Sequence, residues 1–406
     1  MVPVVFVAPF FMDATLRFVR AVSELDHVRL AVISQEPRER LPAAIAHRTA
    51  AFCRIHDGLD PQAIADGVRE VAPRIGGVHR LLGTLEQLQI PLGMVRDLLH
   101  IPGLGEATAR NFRDKGRMKD VLRAAGLPVA RHRTVTDAEA AWAFVREVGF
   151  PVVVKPREGA AAVSTYRAEH VDGMQAALAA TQPAPSRPVV IEEFVTGEER
   201  SFETVSLDGK PLWHASTIYA PSPLTVLENP WIQWTVVLPR EVDAPAVSGF
   251  ASTAYAALSA LGMETGISHM EWFRTRSGAA VISEVAARPP GAQIMSIDSF
   301  GHDVDFYRMW ARLVVHGRFE PPTRRYAVGA AYFRGAGKGR VVAVHGVDRA
   351  QAEIGSLVVE ARLPQRGQVK SSSYEGEGYA ILRHSETRVV EEALKRLISL
   401  VRVEVG

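Results

Sequence analysis

Gly266-Ile-Ser-His-Met-Glu271-Trp-Phe-Arg-Thr-Arg-Ser-Gly278-Ala-Ala-Val-Ile-Ser-Glu284-Val-Ala-Ala-Arg288 decides how the rest of the chain is read. Two β-rich runs flank Arg276-Ser277-Gly278, which is a hairpin signal. With the turn at Ser277-Gly278 and a uniform register, Glu271 faces Glu284 and His269 faces Ala286. Directly opposed side chains sit about 4.5–5.5 Å apart at Cβ, and like charges there repel. A cation between them removes that cost. Mg²⁺ takes carboxylate oxygens and also keeps waters and phosphate oxygens. The pair therefore reads as a Mg-nucleotide site; the other reading is an exposed hairpin with two solvated glutamates. With no metal bound, one of the two is expected to titrate above its ordinary range.

The chain has 406 residues, enough for two or three domains. A hydrophobic share of 47% and a charged share of 23% are those of an ordinary globular protein. Formal net charge is +2 with no long basic run, so nothing favours nucleic acid. The single Cys53 excludes an internal disulfide framework and fits a cytoplasmic location. The apolar start lacks a basic leader region and reads as a buried strand, and no run is long enough to span a membrane.

Apolar runs at 4–8 and 28–33 enclose a helical pattern at 14–25, a β-α-β opening of the α/β kind. It lacks G-x-G-x-x-G, so no dinucleotide site is expected there. Helical patterns follow at 61–72 and 104–125, the second closed by Gly126. Strands are expected near 133–135, 151–155, 166–169 and 189–194, with helices at 137–148, 244–261, 302–316 and 386–399. A Pro-rich boundary at 317–323 suggests three domains: α/β at 1–105, a two-part α+β core at 106–322, and a β-rich unit at 323–406.

Phe150-Pro-Val-Val-Val-Lys155-Pro156 ends a buried strand on an ammonium that needs an anion. The small-residue loop after Arg157, ending at Ser164-Thr165, lets backbone N–H groups approach phosphates, with Ser164 as its candidate binding residue. Its only glycine is Gly159. Val189-Val-Ile-Glu192-Glu193-Phe194-Val195 runs into an acidic turn at Glu198-Glu199, where backbone groups can read a base edge and a carboxylate can hold ribose hydroxyls.

Asp114-Lys115, Val154-Lys155-Pro156, Ile191-Glu-Glu-Phe-Val195, His269-Met-Glu271 and Glu284-Val-Ala-Ala-Arg288, in this order, resemble the ATP-grasp superfamily over nearly the full chain. The resemblance implies an ATP-grasp fold with an N-terminal pre-ATP-grasp α/β domain. It implies that Lys115 and Lys155 approach ATP phosphates. Glu192, Glu193 and Val195 form the adenine hinge, and Glu199 holds the ribose. Glu271 and Glu284 hold Mg²⁺ or Mn²⁺, and Arg288 contacts a phosphoryl group or a substrate carboxylate. Many members carry Asn where this chain has Ala286, and His269, opposite it, is a candidate replacement.

The branch resembled is that of carboxylate–amine and amino-acid ligases. Such an enzyme forms an amide through an acyl phosphate and releases ADP and phosphate. The partners implied are a small carboxylate and a small amine, with a homodimer left open. A carboxylase of the biotin-carboxylase or purine-pathway type is the alternative, and Arg334-Gly-Ala-Gly337-Lys-Gly-Arg340 permits it. Against it, Pro289-Pro-Gly-Ala-Gln293 follows Arg288 where biotin carboxylases carry a Q-V-E-H-type run. A non-catalytic nucleotide binder is the third reading. Trp213, His214, Trp231 and Trp234, between hinge and hairpin, are candidate substrate contacts or core aromatics.

Overall fold

The computed structural model describes residues 1–159, 164–229, 231–242 and 245–406. The first sheet is parallel, in the order β3-β2-β1-β4. Its strands are β1 (Val2–Val7), β2 (Val28–Ser34), β3 (Thr49–Arg54) and β4 (Arg80–Leu82). Val4 to Val7 are fully buried because helices cover both faces, as a parallel sheet requires.

The second sheet is antiparallel, in the order β5-β8-β6-β7. It holds β5 (His132–Val135), β6 (Val152–Pro156), β7 (Tyr166–Ala168) and β8 (Val189–Glu193). One face packs on the helices Ala138–Val148 and Val171–Thr181 through Phe144, Val154, Met174 and Ile191. The phosphate loop expected after Arg157 falls largely on 160–163, outside the described residues, as does position 244 of the expected helix; that helix is described as Pro245–Leu261.

The third sheet takes β9 (Gly197–Leu207), β10 (Lys210–Ala215), β11 (Ile218–Ala220), β12 (Trp234–Leu238), β13 (Gly266–Thr275), β14 (Ala280–Ala286) and β15 (Ala327–Phe333). After β16 (Val341–His345), it resumes with β17 (Val358–Arg362) and β18 (Gly378–His384). Its order is β14-β13-β9-β11-β12-β15-β18-β17, with β10 on β9. Among the described residues, β16 pairs only with β19 (Arg402–Val405).

The structure corrects three expectations. The helix over 104–125 is two helices, Glu106–Arg113 and Lys115–Ala124. Asp114 between them is extended, and its carboxylate accepts from the N–H groups of Gly116 and Arg117 at 3.0 and 3.2 Å, an N-cap. The boundary at 322/323 does not separate two sheets, because β15 pairs with β12 along its length and β18 and β17 follow. The C-terminal region holds β15 to β19 with the expected helix, Thr387–Leu400, and one that was not expected, Val347–Ile354. A helix at Ile294–His302 was not expected, and the next begins only at Phe306.

The β13–β14 hairpin does place Glu271 opposite Glu284 and His269 opposite Ala286. The uniform register fails beyond them: Trp272 faces Ile282, and Ser283 is left over as a bulge. The turn is longer than two residues, with Gly278 N–H donating to Thr275 O at 2.9 Å and Thr275 N–H to Ala279 O at 2.9 Å. The bulge absorbs the difference and keeps both carboxylates on one face. Beneath the hairpin, Trp272 stacks on Phe250 with ring centroids 3.9 Å apart, and Met118 and Leu122 of the helix Lys115–Ala124 join that core.

Candidate active site

A cavity of about 740 Å³ lies between the second and third sheets and reaches the first. This is the volume of a site for a small-molecule ligand. Lysines converge at one end from separate elements. Lys155 ends β6, and its Nζ lies 2.5 Å from Glu192 Oε1. Lys119 Nζ lies 3.1 Å from Glu192 Oε2 and is fully buried. Burial would raise the Glu192 carboxyl, but the charges of Lys119 and Lys155 hold it at about 2. Burial pulls Lys119 below the usual lysine range despite Glu192. Lys155 goes the other way: burial lowers it, and Glu192, then Glu284, more than offset that.

Lys115 stands one helical turn before Lys119, on the same face. Its Nζ donates to Glu284 Oε1 at 2.8 Å and to Gly159 O at 3.0 Å. Its charge thus acts on both opposed carboxylates, by contact with Glu284 and through its field at Glu271. Glu271 has His269 Nε2 at 3.7 Å. Burial pushes Glu271 up, but contact with His269 and then Lys115 keep it below the usual range. The carboxyl that rises well above its ordinary value is Glu199, through burial and the charge of Glu271. The rise expected of the pair does not fall on Glu271: there contact with His269 and the charge of Lys115 outweigh burial, whereas at Glu199 burial and the charge of Glu271 outweigh that of Lys155.

His269 is held from behind. Glu203, 1% exposed, lies 2.8 Å from its Nδ1, and Ser201 Oγ donates to the other Glu203 oxygen at 2.9 Å. Burial opposes its protonation, yet the Glu203 bond and Glu271 bring His269 to about 9. Opposed carboxylates opening on one cavity suit a hard cation. Among the described residues no group of three or more His, Cys, Asp or Glu could hold a metal alone.

The other end of the cavity has different walls. Arg288 pairs through Nε with Glu86, and Arg113 Nη1 donates to the other Glu86 oxygen at 2.6 Å. Burial would raise Glu86, but Arg288 and Arg113 hold it at about 2. Met12, Thr15 and Phe18 come from the helix Asp13–Ser23 and its N-cap, Tyr219 and Thr225 from β11 and the helix after it, and Tyr374 and Glu375 from before β18.

The site thus gathers Lys115, Lys155, Glu192, Glu193, Val195, Glu199, Glu271, Glu284 and Arg288 around one cavity. Ser164 is exposed and outside the lining, which Thr165 enters instead. The Glu192 carboxylate orients two lysines rather than offering itself to a base, and Glu193 is bound to Arg131 at 2.6 Å. Gly197 opens β9 where an added Cβ would meet Arg274 O at 2.5 Å, so only glycine lets β9 and β13 close up beside Glu199. Among the described residues Trp213, His214, Trp231 and Trp234 do not line the cavity. Trp213 and Trp234 are core, His214 stacks on Phe202, and Trp231 is exposed. Lys119, Glu86, Tyr219, Tyr374 and Glu375 were not anticipated. Lys119 had a signal, its spacing from Lys115; the others come from distant parts of the chain and had none.

Residues 120–300 match the family model of the ATP-grasp domain. The chain is 25% identical over 226 residues to an L-arginine-specific L-amino acid ligase of Bacillus subtilis, covering 54% of either chain. It is 27% identical over 265 residues to a D-alanine–D-alanine ligase of Arthrobacter sp. (strain FB24), covering 60% of this chain and 68% of that one. The matched region thus spans about half the length of the first relative. The fold matches the crystal structure of an L-amino acid ligase from Bacillus licheniformis with a TM-score of 0.80 at 16% identity, over 100% of this chain and 99% of that one. With its lysines, opposed glutamates and sheets so arranged, the chain carries over residues 120–300 the match to the ATP-grasp domain, and the relatives it resembles there are ligases.

Proposed function

We propose that the protein is an ATP-dependent ligase that joins a small carboxylate, an amino acid, to an amine. The observation that carries this is the division of one cavity into a lysine end, a facing pair of glutamates, and an end walled by Arg288, Tyr219 and Tyr374. Lys155 and Lys115 bind ATP phosphates, and Lys119 keeps Glu192 from neutralising Lys155 completely. Val195 borders the adenine, since the N–H groups of Glu193 and Phe194 are already bonded to Arg131 O and Pro151 O. Glu199, with its raised carboxyl, sits where the ribose hydroxyls arrive.

Glu271 and Glu284 would hold Mg²⁺ or Mn²⁺, which supplies charge neutralisation at the transferring phosphoryl group. Lys115 then exchanges Glu284 for phosphate oxygens. The substrate carboxylate attacks the γ-phosphorus, the bond to the bridging oxygen breaks, and ADP leaves. Arg288, its guanidinium fixed by Glu86, stabilises charge on the acyl phosphate. The amine attacks the carbonyl carbon, phosphate departs, and the amine proton is lost. No nucleophile on the protein is needed. Among the described residues no helix is long and apolar enough to cross a membrane.

A screen of amino acids in pairs, reading phosphate release and product mass, tests this. A defined pair giving equal amounts of amide, ADP and phosphate is expected. ATP hydrolysis that no carboxylate–amine pair stimulates would reject the ligase reading.

A further inference from the structure

Arg334, the residue directly after β15, is a buried cation outside the cavity, 6% exposed. Its Nη1 donates to three carbonyls, Ile232 O at 2.6 Å, Val226 O at 3.0 Å and Asn229 O at 3.5 Å. Its backbone is tied twice to Gln233: Arg334 N–H donates to Oε1 at 2.8 Å, and Gln233 Nε2 donates to Arg334 O at 2.9 Å. The next N–H, of Gly335, donates to Glu377 Oε2 at 2.7 Å, and Glu377 Oε1 accepts from Ser371 N–H at 2.7 Å. Gly376 is left-handed at φ +66, where an added Cβ would meet Phe333 O at 2.4 Å, so this loop is seated directly on the end of β15.

One short stretch of backbone therefore holds two loops. The first carries Ser222, Thr225 and Glu228 into the cavity, and the second carries Tyr374 and Glu375. Trp234 lies beneath both: Nε1 donates to Pro221 O at 3.0 Å, and its ring is 4.6 Å from that of Tyr374. Neither loop includes a residue of the lysine end.

We propose that Arg334 and Glu377 are positioning residues that set the substrate wall of the cavity through the loops bearing Thr225 and Tyr374. This rests on the ligase reading for what binds there. The physical cause is a cation that closes a turn by gathering carbonyl dipoles, as cations do at helix C-termini. Arg334 Nε has no hydrogen-bond partner, so the guanidinium fork is not used as a fork. An ammonium, with its three donors, can serve the same carbonyls.

The test compares Arg334→Met, Arg334→Lys and Glu377→Gln with the wild type, by hydrogen exchange and kinetics. Arg334→Met is expected to raise exchange in 221–229 and 371–377 but not in the hinge, 189–199. KM for the non-nucleotide substrates should rise about tenfold or more, with kcat and the ADP dissociation constant within about twofold. Arg334→Lys should restore most of both. Glu377→Gln should loosen chiefly 371–377. Unchanged exchange in the two loops, an equal rise in the hinge, or raised exchange with unchanged KM each overturns the proposal. Should Arg334→Met not fold, Gln233→Ala removes only the backbone ties and carries the same expectations. A wild type that turns over no carboxylate–amine pair rejects the ligase reading, and the exchange pattern then decides the positioning role alone.

Discussion

The two ends of the cavity are built in different ways. At the lysine end, each charged group sits on a strand or helix whose register fixes it: Lys155 on β6, Glu192 on β8, Glu271 and Glu284 on one hairpin, Lys115 and Lys119 on one helix face. Buried charges there neutralise one another before any ligand arrives. At the other end, the walls come from elements far apart in the chain, with Thr15 and Phe18 on the helix Asp13–Ser23, Tyr219 on β11, Thr225 on the helix Pro223–Glu228, and Tyr374 and Glu375 on the segment before β18, tied by hydrogen bonds to carbonyls and by aromatic packing. The first end depends on register within single strands, hairpins and helices, the second on how elements distant in the chain are brought together.

The comparison breaks first at the hairpin. Glu271→Gln should lower metal-dependent turnover about a thousandfold, close to 4 kcal/mol, because charge on the transferring group loses its counterpart. Steady-state rates across a Mg²⁺ titration check this. A variant that retains wild-type activity would make the pair a solvated face with no metal role.

Next comes stability. Lys155→Ala leaves the Glu192 carboxylate with Lys119 alone, and breaking a buried ion pair costs about 3–5 kcal/mol. Arg288→Ala leaves Glu86 with Arg113, and its loss should be about half as large. Urea unfolding of both variants ranks the two ends. Lys155→Ala should also weaken ADP binding at least about tenfold. A larger stability loss in Arg288→Ala would reverse the contrast drawn here.

The two ends share one acid-sensitive element. Glu192 and Glu86 are both held at about 2, below an ordinary value of 4.5. A carboxyl depressed in the fold contributes stability above its unfolded pKa and loses it as pH falls through the folded one. Stability should therefore decline from about pH 4.5 toward pH 2, each group contributing at most about 3 kcal/mol. Glu86→Gln should flatten part of that decline in thermal unfolding followed against pH. An unchanged slope would show that Arg113 and Arg288 do not depress it. The smallest effect is expected at Ser164: being exposed, Ser164→Ala should shift stability by less than about 0.5 kcal/mol and leave ADP affinity nearly unchanged.

The same contrast governs what could be read in advance. Strand alternation alone put Glu271 and Glu284 on one face, even though the turn was misjudged and Ser283 bulges to compensate. Lys155 followed from a buried strand ending at Pro156. Lys119 was legible in its helical spacing from Lys115 and went unread. The break at Asp114 also had a signal, since aspartate before a new helix is an N-cap. Glu86, Tyr219, Tyr374 and Glu375 had no local signal, because only tertiary contacts bring these distant positions together. The Pro-rich stretch at 317–323 looked like a linker. It is a connection that returns the chain to β12, and no local pattern states which strand a later one will join.

The pairing of β15 with β12 also sets an order on synthesis. The lysines, the hinge and the carboxylate hairpin all lie before residue 289, so a chain emerging N-terminus first can assemble the nucleotide half early. At that stage β12, buried along all its length in the finished fold, has one edge with no neighbour. Only when Ala327–Phe333 has emerged is that edge covered, and only after Gly378–His384 are both loops of the substrate wall secured. A chain stopped short of that point would keep its nucleotide machinery while presenting Trp234–Leu238 to any other open strand, and aggregation rather than partial activity would be its fate.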